Sequence, residues 1–235
     1  MTPEAWSLYE PFRNLRGPNE SNVARHRLID DALRATLAAR ADTRVIIIGA
    51  GFDTRAFRLQ GGDWVELDEP ALIALKEERL PAREAPNPLT RVPIAFGEES
   101  LAAALARFGD QPAPVVVLEG VFPYLSAADL RSTLDAVRTT FTSPSIVCDL
   151  TTPAFAKRQG KAIGDRLRDL GAPYGRLDRD PLELFEAAGF RLTRRRSIVE
   201  AAMEFGLLPR APRWLMATVL RRLRDGYTIA TFECA

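Results

Sequence analysis

Cysteine, histidine and lysine are scarce in this chain. Its two cysteines, Cys148 and Cys234, are too few for a disulfide framework and too sparse for a zinc site, so no metal is expected. Histidine occurs once, at His26, and lysine only at Lys76, Lys157 and Lys161; the other basic residues are all arginine. No apolar run approaches the roughly 18 residues of a membrane span. Met1 to Asn14 carries acids and aromatics early, without the basic-then-apolar order of a signal peptide. Neither sign of charge dominates: 32 basic residues face 31 acidic ones, for a net +1. A domain that coats nucleic acid usually carries a larger positive excess. The clusters Arg194-Arg195-Arg196 and Arg221-Arg222-Arg224 therefore read as solvated faces. These absences predict a soluble, reduced, cytoplasmic protein with no membrane and no nucleic-acid partner.

What is present is an ordinary globular composition, 46% hydrophobic and 27% charged over 235 residues, enough to bury a core without staples. Residues 1–235 read as one domain. Short apolar runs alternate with helical patterns, as in an α/β fold with a doubly wound, seven-stranded, mostly parallel sheet. An N-terminal helix is predicted over Val23–Arg40. Strands are predicted at Val45–Ile48, Trp64–Leu67, Arg91–Phe96, Pro114–Glu119, Ser145–Asp149, from Phe190, and at Tyr227–Phe232. Between them the pattern predicts helices near Thr54–Leu59, from Pro70 to Leu80, at Glu98–Phe108, Ala127–Phe141, Pro181–Ala188 and Ala211–Asp225. Residues 151–180, rich in glycine and charge, read as a small lid or substrate-binding insertion.

Ligands of such sheets bind beyond the carboxyl ends of the strands, near the switch point. After strand one stand Gly49-Ala50-Gly51-Phe52-Asp53-Thr54-Arg55, where glycine lets a backbone approach a ligand closely. The dinucleotide fingerprint would need a further glycine at Thr54, which disfavours an NAD-dependent oxidoreductase. Asp68 ends strand two, where a carboxylate can accept from both ribose hydroxyls or cap the helix opening at Pro70. Glu119 ends strand four and must be paired if buried, either with a ligand ammonium or amide, or with a nearby arginine. Arg25 falls among Leu28, Ile29, Ala32, Leu33 and Ala35 on the apolar face of the first helix. An inward arginine needs an anion, from a substrate, a cofactor or an internal acid. His26 lies at the edge of that face.

Together these blocks resemble the class I S-adenosylmethionine-dependent O-methyltransferases, and more narrowly the leucine carboxyl methyltransferase and polyketide-type O-methyltransferase family. The resemblance rests on Ala24-Arg25-His26-Arg27-Leu28-Ile29-Asp30-Asp31, Gly49 through Leu59, Trp64-Val65-Glu66-Leu67-Asp68-Glu69-Pro70, Glu119-Gly120-Val121-Phe122-Pro123-Tyr124-Leu125, and Asp225-Gly226-Tyr227. It implies a Rossmann-like fold and S-adenosylmethionine as cofactor, with S-adenosylhomocysteine as product. It further implies that Gly49, Ala50, Gly51, Asp53 and Arg55 line the methionine side, with Arg25 meeting a carboxylate there. Asp68 then holds the ribose, Glu119 lies near the amino group, and Tyr124 faces the substrate. Phe96 is counted with the cofactor residues, although the family often has an aspartate near the end of strand three, where this chain has Ala95-Phe96-Gly97. Arg25, His26 and Tyr124 are the catalytic candidates. The expected partner is a small carboxylic acid or a hydroxylated compound. A carboxylate acceptor is ionised at neutral pH and needs no base; a phenol or alcohol needs one, and His26 is the histidine offered. A carboxylate-methylating enzyme is therefore expected. The alternatives are a hydroxyl or phenol O-methyltransferase of secondary metabolism and a non-catalytic nucleoside-binding module.

Overall fold

Four apolar runs of the sequence lie side by side at the centre of one sheet. A computed structural model describes residue 10 and residues 16–109, 113–159, 177 and 179–235. The strands are β1 (Arg44–Ile48), β2 (Asp63–Asp68), β3 (Leu89–Pro93), β4 (Val115–Leu118), β5 (Ser145–Thr151), β6 (Phe190–Ser197) and β7 (Tyr227–Cys234). Their order is β3-β2-β1-β4-β5-β7-β6, with β7 antiparallel to both neighbours and the other pairings parallel. The doubly wound, mostly parallel sheet is as expected.

The helices are α1 (Arg16–Ala39), α2 (Arg55–Arg58), α3 (Pro70–Arg79), α4 (Leu101–Ala106), α5 (Ala127–Thr140), α6 (Pro153–Gln159), α7 (Pro181–Ala187), α8 (Ile198–Glu204), α9 (Arg213–Ala217) and α10 (Arg221–Arg224). Alternation along each strand divides the core in two. Ile46, Ile48, Val65, Leu67, Val116 and Leu118 meet Leu105, Leu130, Leu134 and Phe185 on one face. Val45, Ile47, Trp64, Val115 and Val117 meet Leu28, Ile29, Leu33 and Leu37 of α1 and Ile198 of α8 on the other. From β1 the strand order runs outward to β2 and β3 on one side and, from β4, to β5 on the other, so the crevice at the carboxyl ends of β1 and β4 is the switch point.

Several boundaries differ from expectation. The first helix starts at Arg16 rather than Val23; Pro18 falls in its first turn, where no backbone N–H is needed. Ala35 of that helix is exposed rather than inward. Strand β3 is shifted towards the N-terminus because β2 sets its register, from Trp64 opposite Leu89 to Asp68 opposite Pro93. Pro93 is tolerated because β3 is an edge strand. Ser100 caps α4, its Oγ accepting from Ala103 N at 3.3 Å, so the helix begins at Leu101 and not at Glu98. The helix expected over Ala211–Asp225 is broken at Thr218, whose hydroxyl donates to Trp214 O at 2.7 Å and competes with the helical ladder. Helix α8 was not foreseen. Of the expected lid at residues 151–180, positions 160–176 and 178 lie outside the described residues; the described part includes α6. Among the described residues no helix is long and apolar enough to cross a membrane.

The arginine clusters spend much of their bonding capacity within the chain. Arg195 donates to Thr228 Oγ1 and Asp225 O, Arg196 pairs with Glu204 at 2.8 Å, and Arg224 with Asp225 at 2.6 Å.

One feature of β2 breaks its apolar pattern. Glu66 is fully buried, with Lys76 Nζ at 2.7 Å and Arg91 Nε at 3.0 Å from its Oε2. The cations come from the helix that covers β2 and from the neighbouring strand. Lys76→Met should cost about 1–3 kcal/mol in urea unfolding, the penalty for an under-satisfied buried acceptor that still keeps Arg91. An unchanged midpoint and slope would mean that Lys76 contributes nothing to the pair.

Candidate active site

Backbone geometry shapes the floor of the crevice. Gly49 and Ala50 donate to Leu67 O at 2.9 and 3.1 Å, which folds the chain back over the end of β2. Gly49 has φ +73°, and a Cβ there would lie 2.5 Å from Val121 Cγ1, so only glycine fits. Gly51 has φ +49°, yet a Cβ built on it meets nothing within 4 Å. The turn therefore leaves open space directly in front of Gly51. The exposed rings of Phe52 and Phe96 belong to the same end of the sheet, and Phe96 N–H donates to Glu69 Oε1 at 3.2 Å.

Asp68 closes the turn. Its Oδ2 accepts from Gly51 N at 2.6 Å and its Oδ1 from Glu69 N at 2.7 Å. It does not cap α3: Glu69 is the N-cap, without a side-chain bond. Each carboxylate oxygen has two acceptor sites, so both keep capacity for a ligand hydroxyl.

Across the switch point stands a network of charges. Arg55 is its centre, with its side chain 0% exposed. It lies 2.7 Å from Asp30 Oδ1 and 2.8 Å from Glu119 Oε2, and it also pairs with Asp53. Asp53 Oδ1 accepts the Arg55 backbone N–H at 2.6 Å, which starts α2. Arg55, expected to line the crevice, is enclosed by these carboxylates and stands behind its surface. Arg58 and Arg34 complete the surroundings of Asp30.

Glu119 has an arginine on each oxygen. Arg25 Nε donates to its Oε1 at 2.8 Å while Arg55 holds Oε2. Burial alone would raise this carboxyl, but Arg55, Arg25 and His26 together hold it below the usual carboxylate range. Asp30 is likewise held low by Arg58 and Arg55 against burial. The Arg25 side chain, 18% exposed, is inward as expected, and its anion partner is an internal acid. Arg25 Nη1 donates to Tyr227 Oη at 3.0 Å and lies 3.5 Å from Asp149 Oδ2. Burial opposes its charge, but Tyr227, Asp149 and Glu119 more than restore it. Nη2 of Arg25 donates to none of the described residues.

His26 is half exposed at 52%. Its Nδ1 lies 3.2 Å from both Arg55 Nη2 and Glu119 Oε1. Burial, then Arg55 and Arg25, outweigh Glu119 and lower its pKa. Tyr124 ends a 3-10 turn, Phe122–Tyr124, just beyond Glu119; burial raises its phenol, partly offset by Arg25.

Sequence reasoning missed Asp30, Arg58 and Asp149. Asp149 carried the same signal as Glu119, an acid closing a buried apolar strand. Asp30 lies five residues along the helix from Arg25, flanking the apolar stripe.

The family model for leucine carboxyl methyltransferase matches residues 6–138. The tetracenomycin polyketide synthesis O-methyltransferase TcmP of Streptomyces glaucescens is 29% identical over 157 residues, 64% of this chain and 54% of that protein. The chain spans about half the length or less of the curated relatives it matches, with 39% and 51% for relatives from Streptomyces coelicolor and Mycolicibacterium paratuberculosis. Two solved structures share the fold. The magnesium protoporphyrin IX methyltransferase of Synechocystis PCC 6803 with bound SAH has a TM-score of 0.52 at 12% identity, covering 92% of this chain and 86% of that one. A DUF574 family protein from Streptomyces avermitilis has a TM-score of 0.59 at 13% identity, covering 90% and 83%. The fold follows from these likenesses and the membership from the family match over more than half the residues: the chain belongs to the leucine carboxyl methyltransferase family.

Proposed function

We propose that this chain is a single-domain S-adenosylmethionine-dependent O-methyltransferase that esterifies a small carboxylic acid. One observation supports the reading above the others: Arg25 and Glu119 are hydrogen-bonded to each other beside the switch point, a joined pair of opposite charges to which the carboxylate and ammonium of an amino-acid tail can add, the carboxylate at Arg25 Nη2 and the ammonium at a remaining Glu119 lone pair. The residues fit that cofactor. Gly51 opens the space in front of the turn, Asp68 retains acceptor capacity for vicinal hydroxyls, and Arg25 Nη2 has donors to spare. Phe52 and Phe96 offer exposed rings for a flat base. The cofactor supplies a methyl group on a sulfonium when bound. Arg25 and Glu119 orient the tail, Tyr124 donates to the acceptor, and Asp53 and Arg55 hold Glu119 in place from behind.

His26 bears on the acceptor class through its tautomer. Where Nδ1 accepts from Arg55, the ring hydrogen sits on Nε2, and the nitrogen that faces out is a donor rather than a base. The opposite tautomer, with Nδ1–H on Glu119, leaves Nε2 free to take a proton and supports a hydroxyl acceptor.

Calorimetry with S-adenosylmethionine, S-adenosylhomocysteine and NAD tests the cofactor reading; preference for NAD, or no binding at all, overturns it. Asp68→Ala should weaken S-adenosylhomocysteine by about 1.5–3 kcal/mol, the worth of hydrogen bonds to a charged group, while the protein stays folded. Undiminished affinity in the folded variant would restrict Asp68 to shaping the turn. Methyl ester formation across a carboxylic-acid library then tests the acceptor class.

A further inference from the structure

Strand β7 returns from the C-terminus between β5 and β6, and its first residue reaches the site. Asp149 lies opposite Ile229 in the antiparallel register, so Tyr227 is its diagonal neighbour on the same face of the sheet. The Tyr227 hydroxyl donates to Asp149 Oδ2 at 3.0 Å and accepts from Arg25 Nη1 at 3.0 Å. This polarity has no alternative, because a guanidinium cannot accept and a carboxylate cannot donate. The other oxygen of Asp149, Oδ1, accepts from Gly120 N at 2.7 Å and so ties down the segment that carries Glu119. Gly120 has φ +68°, and a Cβ there would sit 3.5 Å from Arg25 Nη1 and Nη2. The Phe155 ring packs against Tyr227 with centroids 5.8 Å apart.

We propose that Asp149 and Tyr227 are positioning residues that clamp Arg25, presenting its Nη2 edge to the carboxylate of the cofactor's amino-acid tail. An unheld arginine would lose rotamer freedom when the ligand binds; a clamped one has lost it already, which is the advantage of preorganisation. Neither residue touches the ligand in this scheme, and both act through Arg25. The proposal rests on the cofactor reading above.

The test compares two nucleosides by calorimetry. S-adenosylhomocysteine carries the amino-acid tail, whereas 5′-methylthioadenosine has the same nucleoside without carboxylate or ammonium. Tyr227→Phe and Asp149→Asn should each weaken S-adenosylhomocysteine about tenfold or more, as expected for bonds to a charged group, and leave methylthioadenosine within about twofold. In an Arg25→Ala background, Tyr227→Phe should add almost nothing, because the pair acts as one unit. Equal losses for both ligands would mark a merely structural role and overturn the clamp. So would undiminished S-adenosylhomocysteine affinity in both variants, with the cofactor reading left standing. Wild-type protein that binds neither nucleoside would overturn the cofactor reading and the clamp with it. Asp149→Asn keeps the test open if Tyr227→Phe fails to fold.

Discussion

Arg55→Leu should destabilise the protein by about 3–5 kcal/mol at pH 7, the usual cost of breaking a buried ion pair from one side. Three carboxylates, Asp30, Asp53 and Glu119, converge on this guanidinium. Asp30 keeps Arg58, and Glu119 keeps Arg25, so the loss is felt most at Asp53. Arg55→Lys should fall between wild type and Leu, because an ammonium is a point charge that cannot span three partners. The pH dependence gives a second check. Asp30 and Glu119 are held below their ordinary values in the folded state. Their stabilisation is therefore complete above an unfolded pKa of about 4 and is lost as pH falls through the folded values. His26, also depressed, adds a loss of stability as pH drops below about 6.5. In Arg55→Leu the carboxyls no longer need the cation once protonated, so the gap to wild type should narrow below about pH 4. Urea unfolding from pH 3.5 to 7.5 measures both effects. A gap under about 1 kcal/mol at pH 7 would mean that Arg55 behaves as an exposed pair does, against its burial.

The parts of the fold set by local rules were legible from residues alone. Continuous runs such as Val115–Leu118 read as strands because both faces are covered. The helix expected from Ala127 does begin there, and Ser126 before it forms a full capping box with Asp129. Gly49 and Gly51 read as backbone that a ligand can approach closely, and both take a positive φ with open space at Gly51. What failed depended on tertiary context. The extent of β3 is decided by its pairing with β2, which residue pattern does not carry. Helix α8 is seven residues long and is held by Ser197 and by packing on α1, too short for its periodicity to stand out. At the site, the inward setting of Arg25 and the acids at the ends of β2 and β4 were legible because an apolar stripe or strand was interrupted by charge. The burial of Arg55 was not, since nothing in Asp53-Thr54-Arg55 says that Asp30 and Glu119 close over it. Glu66 escaped for the same reason: its partners Lys76 and Arg91 come from two other elements. Charges that pair across elements leave no periodic trace.

Tyr124→Phe should slow single-turnover methyl transfer about 10- to 100-fold while S-adenosylhomocysteine affinity stays within about twofold, because a hydrogen bond to a charged acceptor is worth about 1.5–3 kcal/mol. His26→Ala should cost less than about tenfold, below what a general base contributes. The wild-type rate should stay nearly flat from about pH 5 to 8.5, since a carboxylate of ordinary pKa is ionised throughout. The structure moves the window in which the rival reading shows itself. With His26 depressed by burial and by Arg55 and Arg25, a hydroxyl acceptor served by this base would be fully active at pH 7 and lose rate only below about 6.5. A profile limited to pH 7 and above would look the same under both readings, so the acid side carries the decision. For a hydroxyl acceptor, His26→Ala should collapse the chemical step by about 10²–10⁴-fold with cofactor affinity intact, and the acid-side decline should vanish with it. That pair of results would replace the carboxyl reading by base-assisted hydroxyl methylation. A flat profile with a mild His26→Ala effect and a slow Tyr124→Phe would support a site that positions an already ionised acid.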